Sequence, residues 1–337
     1  MALLLLGILI ILHEAGHFWA ARLCEIEVQE FSVGMGPLLL QRRGKNGTAY
    51  SIRALPIGGF CRFYGEDEGE TADPRAFDRA PLLRRMFTVF AGPGMNFIVA
   101  ILAIVIYLSA VGIPAIIPAI GAVEENAEKA GLRVGDRLIA VNGAPTDDTN
   151  AISQKIASSE GNPVTLTVRR DSDELELTIV PFYDGELKRY RLGFSFAQAR
   201  ERTSVLKSIP FSVRYNWESV LLIVRTLKNL VFRGEGVSDM TGPVGTVYVI
   251  QEATREGGLD IWLELLALIS VNLGIMNLLP IPGLDGSRLL FQLFEAIRGK
   301  PVNRELEGTI HLAGIALLMG LMLVLTYKDI MQFFVRG

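Results

Sequence analysis

The segment ILHEAGHFWA, residues 11–20, places two histidines and a glutamate inside an otherwise apolar stretch. On a helix, His13 and His17 are four residues apart, so their imidazoles share one face and can reach one metal ion. Glu14 lies beside them, where a carboxylate can act as a base toward water without being a ligand. The alternative interpretation, polar residues that cap a helix near a membrane surface, leaves Glu14 unexplained. The pattern therefore predicts a metal site with hydrolytic chemistry.

A catalytic zinc site takes three ligands from the protein, so one more ligand must come from elsewhere in the chain. His311 is one candidate, but it begins the last apolar stretch, where an ordinary interfacial histidine is the better interpretation. Asp285 is the stronger candidate, because an unpaired carboxylate at the end of the third apolar stretch would be costly. At the rise of a helix, His13 lies about 13 Å from Arg22, and Asp285 lies just before the cytoplasmic charges. Both residues are therefore expected at a similar depth, in the cytoplasmic half of the membrane.

Four stretches are apolar enough to cross a ~30 Å hydrocarbon core as helices of about twenty residues. They are residues 1–21, 86–123, 265–284 and 308–327, and the last three contain no Asp, Glu, Lys or Arg. The first stretch lacks the basic start and the cleavage site of a signal peptide, so we expect a spanning helix there. Half of the chain is hydrophobic and 20% is charged, which indicates a membrane protein that carries a soluble domain.

Positive charge predicts the orientation of the chain in the membrane. Residues 22–85 hold ten Lys and Arg and residues 286–308 hold four, so the positive-inside rule assigns both loops to the cytoplasm. The termini and the long region 124–264 are then extracytoplasmic.

Composition also excludes several classes of function. The net charge is −3 and no basic stripe is present, which argues against a nucleic-acid partner. The two cysteines form no C-x-x-C pair, so neither a disulfide framework nor a zinc knuckle is expected.

The region from 118 to 182 alternates short strand-like segments with two helical ones. Its stretch AEKAGLRVGDRLIAVNG is similar to the PDZ domains attached to bacterial membrane and periplasmic proteases. PDZ folds bind peptide ends by adding a strand to a sheet edge. The resemblance implies a peptide or chain-end ligand for this domain.

Four features, taken in chain order, resemble the bacterial site-2 proteases, the RseP-like intramembrane zinc metalloproteases. They are HEAGH in the first span, AGPGMNF in the second, one PDZ domain, and an N-x-x-P-x-P-x-x-D-G motif in the third span. The resemblance covers essentially the whole chain. It implies a Zn²⁺ ion held by His13, His17 and Asp285, with Glu14 as the catalytic base.

The same resemblance implies residues that hold the substrate. Asn272, Pro280 and Pro282 are expected to do so near the metal. FSVGMG, which contains Gly34 and Gly36, is similar to the family's re-entrant β-hairpin, which offers a sheet edge to an unwound substrate. Many members of the family carry two PDZ domains, and this chain has one.

We therefore predict a polytopic α-helical membrane protein with about four transmembrane helices, a membrane-associated β-hairpin region and an α+β PDZ domain. The predicted parts are a first transmembrane helix at 1–22, a cytoplasmic or re-entrant β region at 23–82, a second transmembrane helix at 83–115, the PDZ domain at 118–195, an amphipathic membrane-surface region at 200–258, a third transmembrane segment at 260–290 and a fourth at 308–330.

The predicted function is intramembrane hydrolysis of peptide bonds in single-span membrane proteins, such as anti-sigma factors or remnant signal peptides, at the bacterial plasma membrane. One alternative is a non-catalytic membrane adaptor that recruits partners through its PDZ domain, but an adaptor has no need of Glu14. A second alternative, a metal transporter, would need polar residues across several spans, and the second and fourth have almost none.

Overall fold

In the computed structural model the chain divides into two compact units. Unit 1 combines Met1–Leu108 with Ser204–Gly337, and unit 2 is Ser109–Thr203. The structure describes residues 2–66, 73–185, 188–201, 203–236 and 240–332, without the side chains of 56, 57, 114, 201, 256 and 304. In chain order, the helices and strands are α1 (Ala2–Leu23), β1 (Val28–Arg43), β2 (Ala49–Phe63), α2 (Leu82–Val111), β3 (Ile113–Val123), α3 (Glu125–Lys129), β4 (Arg137–Val141), β5 (Ala144–Pro145), α4 (Thr149–Ala157), β6 (Val164–Arg170), β7 (Asp173–Ile179), β8 (Phe182–Asp184), β9 (Arg189–Arg191), β10 (Phe194–Glu201), α5 (Val205–Arg233), α6 (Pro243–Leu278), α7 (Asp285–Arg298) and α8 (Arg304–Ile330).

Four helices of unit 1 are long and apolar enough to span a membrane, which confirms the predicted number. Among the described residues they are Ala2–Leu23, Leu82–Val111, Gly257–Leu278 and Glu305–Ile330. The protein is therefore a multi-span membrane protein. Helix α5, which the sequence predicts to be amphipathic, is not one of these four.

The third span begins earlier in the chain than the uncharged stretch 265–284 predicts. The spanning part is Gly257–Leu278. Helix α6 itself begins at Pro243, within the predicted surface region 200–258, but it is interrupted at Gly258, whose φ of 68° is not helical, and it ends at Leu278, before the two prolines. Glu264 therefore lies inside the span. Its carboxylate accepts a hydrogen bond of 2.9 Å from the Tyr215 hydroxyl of α5, and such a partner lowers the cost of a polar group within a spanning helix.

Strands β1 and β2 form a sheet in unit 1 whose free edge matters for the site. Each residue from Glu30 to Val33 of β1 pairs with two residues of β2; Ser32, for example, pairs with both Phe60 and Ser51. The beginning of β1 therefore lies between the two ends of β2. Residues 59–63 pair with β1 on one side, and no other described strand pairs with their second side. This edge of residues 59–63 is called the inner edge below.

Unit 2 is a small α+β unit with its own core. Its main sheet has the strand order β10-β3-β4-β6-β7, with β5 paired to β4. Strand β6 buries every second residue, Val164, Leu166 and Val168, and leaves Thr165 and Thr167 partly exposed, as expected for a sheet with one covered face. Ile152 and Ile156 of α4 belong to the same core. Strand β10 pairs with β3 and lies at one end of the sheet.

Candidate metal centre and substrate cavity

Three side chains that are distant in sequence bring their ligand atoms together in unit 1. His13 and His17 lie on α1, and Asp285 is the first residue of α7. The Nε2 atoms of the two histidines are 3.3 Å apart, and Asp285 Oδ2 lies 3.1 Å from His13 Nε2 and 3.4 Å from His17 Nε2. In the described parts of the chain, this is the group of His, Cys, Asp and Glu side chains able to hold one metal ion.

The spacing of these three atoms fits a zinc ion. Zinc in proteins is tetrahedral, with bonds of about 2.0–2.2 Å to nitrogen and oxygen, so its ligand atoms stand about 3.3–3.6 Å apart. The three observed separations are 3.1, 3.3 and 3.4 Å. Two imidazoles and one carboxylate are also a donor set that catalytic zinc uses. His13, His17 and Asp285, called the ligand cluster below, thus have the composition and spacing of a three-ligand zinc site.

His17 is oriented by helix α2. Its Nδ1 donates to the carbonyl oxygen of Thr88 over 2.9 Å, so Nε2 is left with a free lone pair toward Asp285. The ring lies directly against Gly92, where an added Cβ would collide with Nε2 and Cε1. The small residues in the segment AGPGMNF therefore do more than permit helix packing, because Gly92 makes room for a ligand.

His13 is oriented by Asn96, which sequence analysis did not identify as functional. The Asn96 amide lies 3.1 Å from His13 Nδ1, and its Oδ1 is buried without a hydrogen-bond partner among the described residues. Amide oxygen and nitrogen are assigned from their surroundings. If the oxygen faces Nδ1, it accepts the Nδ1 proton, gains the partner it lacks, and leaves Nε2 free for a metal. Asn96 belongs to the segment AGPGMNF, so this polar residue among small and apolar ones was the signal that could have indicated its role.

Asp285 reaches the histidines because the chain breaks its helix just before it. Helix α6 ends at Leu278 and α7 begins at Asp285, as the two prolines of this segment predict. Gly286 then packs so closely that an added Cβ would collide with the carbonyl oxygens of Leu278 and Leu279. The backbone turn is tight, and it places the carboxylate at the start of α7 beside α1.

Glu14 lies next to the ligand cluster and against the inner edge of β2. Its carboxylate lies beside the backbone of Cys61, and an added Cβ on Gly59 would lie 3.5 Å from its Cγ. Glu14, His13, His17 and Asp285 all line one cavity of about 400 Å³. The Glu14 carboxylate, the ligand cluster and a free strand edge therefore share one cavity.

The proposed substrate-binding residues lie outside the lining of this cavity as the structure describes it. Gly34 and Gly36 belong to β1, and both have positive φ, of 85° and 82°. Gly34 adjoins Val33, which pairs with Gly59 of the inner edge. Pro280 is exposed and Pro282 is partly buried in the segment between α6 and α7.

The asparagine of the third-span motif is Asn277 and not Asn272. Counting back from Asp285, the spacing N-x-x-P-x-P-x-x-D-G begins at Asn277. Asn272 is exposed on α6, whereas Asn277 Nδ2 lies 3.5 Å from His13 Nε2. The motif spacing, counted residue by residue, was the signal that could have found it.

His311 does not belong to the ligand cluster, but it lines the same cavity as Glu14. Its Nδ1 accepts the backbone N–H of Gly283 over 3.1 Å, two residues before Asp285. An interfacial histidine, as the sequence suggests, would face lipid headgroups or water. The structure places this ring in the wall of the cavity, because α8 packs on the segment that joins α6 to α7.

Unit 2 contains a separate cavity of about 280 Å³. Its walls come from α4, from β9 with the following turn, and from the first residues of β10. The lining residues are Ser153, Ile156, Arg189, Tyr190, Arg191, Leu192, Phe194, Ser195 and Phe196. A groove between a helix and an end strand suits an extended peptide.

Comparison with known proteins places the chain among membrane zinc peptidases. The sequence profile of Peptidase family M50 matches residues 1–321. A zinc metalloprotease of Clostridium acetobutylicum is 36% identical over 331 residues, with 98% of this chain and 96% of that protein covered. The regulator of sigma-W protease RasP of Bacillus subtilis is 29% identical, with 98% of both proteins covered. The zinc metalloprotease RasP of Geobacillus kaustophilus is 31% identical, with 97% of this chain and 96% of that protein covered.

Proposed function

This chain belongs to peptidase family M50 and is a zinc metalloprotease of the site-2 type, and on that premise we propose that it cleaves single-span membrane proteins within their transmembrane segments. The observation that carries the proposal is the position of the ligand cluster. His13 and His17 lie in the middle of α1, a helix long and apolar enough to span a membrane. A peptide bond that reaches these residues must come from a segment that enters the membrane.

We assign the zinc ion to His13, His17 and Asp285. When bound there, zinc acts as a Lewis acid toward a carbonyl oxygen and makes water more acidic. Glu14 has the role of general base: its carboxylate takes a proton from the attacking water and then delivers it to the leaving amine nitrogen. The backbone of Cys61 lies beside the Glu14 carboxylate, and both residues line the cavity in which the two transfers take place.

The inner edge, residues 59–63, is the proposed docking strand for the substrate. A peptide bond in a helix is shielded, so a transmembrane segment must unwind before it can be cleaved. Each unwound backbone group would then lack a hydrogen bond in an environment without water. Pairing with the free side of residues 59–63 restores those bonds, and it brings the extended segment past Glu14. This edge replaces Gly34 and Gly36 as the proposed site of strand addition, with Gly34 supporting it from β1.

We assign unit 2 the role of a PDZ-like domain that binds a peptide or a chain end. The exposed side of β10 and the adjacent α4 form the groove, and a ligand there would extend the sheet by one strand. The positive-inside rule orients unit 2 and the chain termini to the outer side of a bacterial plasma membrane. Unit 2 would then meet the outer part of a substrate, such as an anti-sigma factor or a remnant signal peptide after a first cleavage.

The experiment that tests the proposal measures cleavage by the purified full-length chain. The substrates are a panel of single-span membrane proteins in detergent micelles, incubated with and without a zinc chelator, and beside a Glu14→Gln variant. Cleavage inside the apolar segment that requires both zinc and Glu14 supports the proposal. Zinc-loaded protein that binds the panel and cleaves none of it contradicts the proposal and favours an adaptor.

A further inference from the structure

The imidazole of His311 carries a hydrogen-bond donor that no described residue uses. Nδ1 accepts the Gly283 N–H over 3.1 Å, and a ring nitrogen that accepts carries no proton. The neutral ring therefore has its proton on Nε2. Nε2 is buried and has no hydrogen-bond partner among the described residues. Glu307 Oε1 lies 3.8 Å away, which is beyond hydrogen-bonding distance.

The ring that carries this donor is held in a fixed orientation. The Gly283 N–H holds one edge of the imidazole, and the Phe291 ring packs against it in a T-shaped contact with centroids 5.7 Å apart. Gly314, one turn further along α8, lies so close to Pro282 that an added Cβ would collide with the Pro282 carbonyl oxygen. Helix α8 is thus packed on the backbone of the segment between α6 and α7, and the direction of Nε2 is set by packing.

A fixed buried donor without a partner costs stability, so it calls for an explanation. His311 lines the cavity that also contains Glu14 and Asp285. An extended peptide along the inner edge presents carbonyl oxygens on both of its sides, and only one set faces the inner edge. The other set needs donors from other parts of the cavity wall, and His311 and Ile315 of α8 belong to that wall.

We propose that His311 Nε2–H donates a hydrogen bond to a backbone carbonyl oxygen of the unwound substrate. His311 is then a substrate-positioning residue, which helps to hold the peptide between the inner edge and α8. The inference rests on the proposed function, since it takes an unwound transmembrane segment as the ligand. Helix α8 would then contribute to substrate binding, a role that is separate from metal binding by the ligand cluster and from proton transfer by Glu14.

Two substitutions separate this role from a purely structural one. His311→Asn retains an acceptor near the position of Nδ1, so it can still hold Gly283, but it has no group at the Nε2 position. His311→Gln places an amide N–H near the Nε2 position and loses the acceptor toward Gly283. Each variant therefore retains only one of the two hydrogen-bonding functions of the imidazole. Leu312→Ala, at an exposed neighbouring position, is the control for α8 itself.

The experiment measures zinc content and substrate binding in full-length protein that also carries Glu14→Gln, which prevents turnover. The probe is a fluorescein-labelled synthetic peptide with one apolar segment of about twenty residues. We expect His311→Asn to keep its zinc and to raise the peptide Kd about tenfold, which is the loss of about one hydrogen bond. His311→Gln should bind more tightly than His311→Asn. With Glu14 restored, kcat/KM should follow the same order.

Three results would overturn the inference. One is that the His311→Asn variant binds the peptide as tightly as the protein that retains His311. Another is loss of zinc from both variants, which would make His311 only a support for the loop of Asp285. The third is Glu307→Ala reproducing the effect of His311→Asn, because Nε2 would then serve Glu307. Failure of the proposed function would give a different result, because wild-type protein would then bind the peptide without cleaving it. The binding comparison between the variants would still decide the role of His311.

Discussion

His17 Nδ1 and the carbonyl oxygen of Thr88 are joined by a hydrogen bond of 2.9 Å. The donor belongs to α1 and the acceptor to α2, so the orientation of one proposed zinc ligand depends on how closely the two helices approach. Gly16 and Gly92 permit that approach. An added Cβ at Gly16 would collide with the Ala91 carbonyl oxygen, and one at Gly92 would collide with the His17 ring.

Gly92→Ala should therefore lower the zinc content of the purified protein and its protease activity together. The methyl group has to displace the imidazole, and a displaced ring cannot keep both Thr88 and the metal. Gly94→Ala is the matched control, since its Cβ would meet Phe90 at an ordinary 3.5 Å. Zinc is measured by atomic absorption on protein that elutes as one species in gel filtration. Equal zinc in the two variants would contradict the packing argument.

Glu14→Gln should keep zinc and lose cleavage by at least about 10²-fold, the usual contribution of a general base. The amide has nearly the same size as the carboxylate and can still hydrogen-bond, but it cannot take a proton from water. Metal analysis and a cleavage assay on the same sample test both parts. Substantial turnover by zinc-loaded Glu14→Gln would remove Glu14 from its proposed role.

Asp285→Ala should lower zinc occupancy as well as activity, because it removes one of three ligands. The competing expectation is that another group, such as His311, supplies the third ligand. Glu305→Ala, which removes an exposed carboxylate from the start of α8, serves as the control. Titration of the metal-free proteins with zinc gives the affinities. An Asp285→Ala protein that binds zinc like the control would show that the third ligand has been assigned wrongly.

Local pattern and composition predicted much of this fold. The four spans followed from apolar runs, and the ligand pair on α1 followed from helical spacing. The start of the third span did not, because the charge of Glu264 ended the apolar run. Its partner, Tyr215, lies 49 residues earlier in the chain. A contact between helices that are distant in sequence leaves no mark in the local pattern.

The same limit applies to the site. Thr88, Asn96 and His311 act through contacts between helices. No sequence motif indicates which residue each of them contacts. The inner edge was also missed. Sequence indicated strands around Gly34 and Gly36, but the register that places β1 between the two ends of β2 depends on pairing across the whole sheet.

Unit 2 should lose stability at acid pH through Asp136. The guanidinium of Arg170 donates to both carboxylate oxygens, over 2.7 and 2.8 Å, and the Arg133 N–H adds a third bond. These groups, with Arg170 first, hold the pKa of Asp136 below its usual value. A carboxyl with a lowered folded pKa stabilises the fold above the unfolded value, near 3.9, and that stability is lost as pH falls through the folded pKa.

Hydrogen exchange of the β4 and β6 amides in the full-length chain measures this effect. After correction for intrinsic exchange rates, protection in these strands should fall as pH is lowered from about 6 to about 3, across the Asp range. Arg170→Met should reduce protection at the higher pH and make it less sensitive to acid. Arg169→Met is the control, because Arg169 pairs with the exposed Glu174 instead. An equal loss in both variants would contradict the assignment to Asp136.

Removal of unit 2 tests whether this domain selects substrates. The deletion should replace residues 112–203, from the end of α2 to the start of α5, with a short flexible linker. A cut confined to 118–182 would leave all of β10 and only part of β3, while removing β4, β6 and the core they share. The remaining apolar surface would aggregate for reasons unrelated to function.

The described residues that line the cavity with the ligand cluster all belong to unit 1, so the proposed chemistry requires no group from unit 2. If unit 2 acts as a filter, the deletion should retain zinc, cleave a short pre-trimmed single-span substrate at a rate near that of the full chain, and also cleave an untrimmed substrate that the full chain rejects. If unit 2 is needed for folding instead, the deletion will lack zinc. A folded, zinc-loaded deletion that cleaves neither substrate would refute the filter, because removal of a filter should leave cleavage of the pre-trimmed substrate intact.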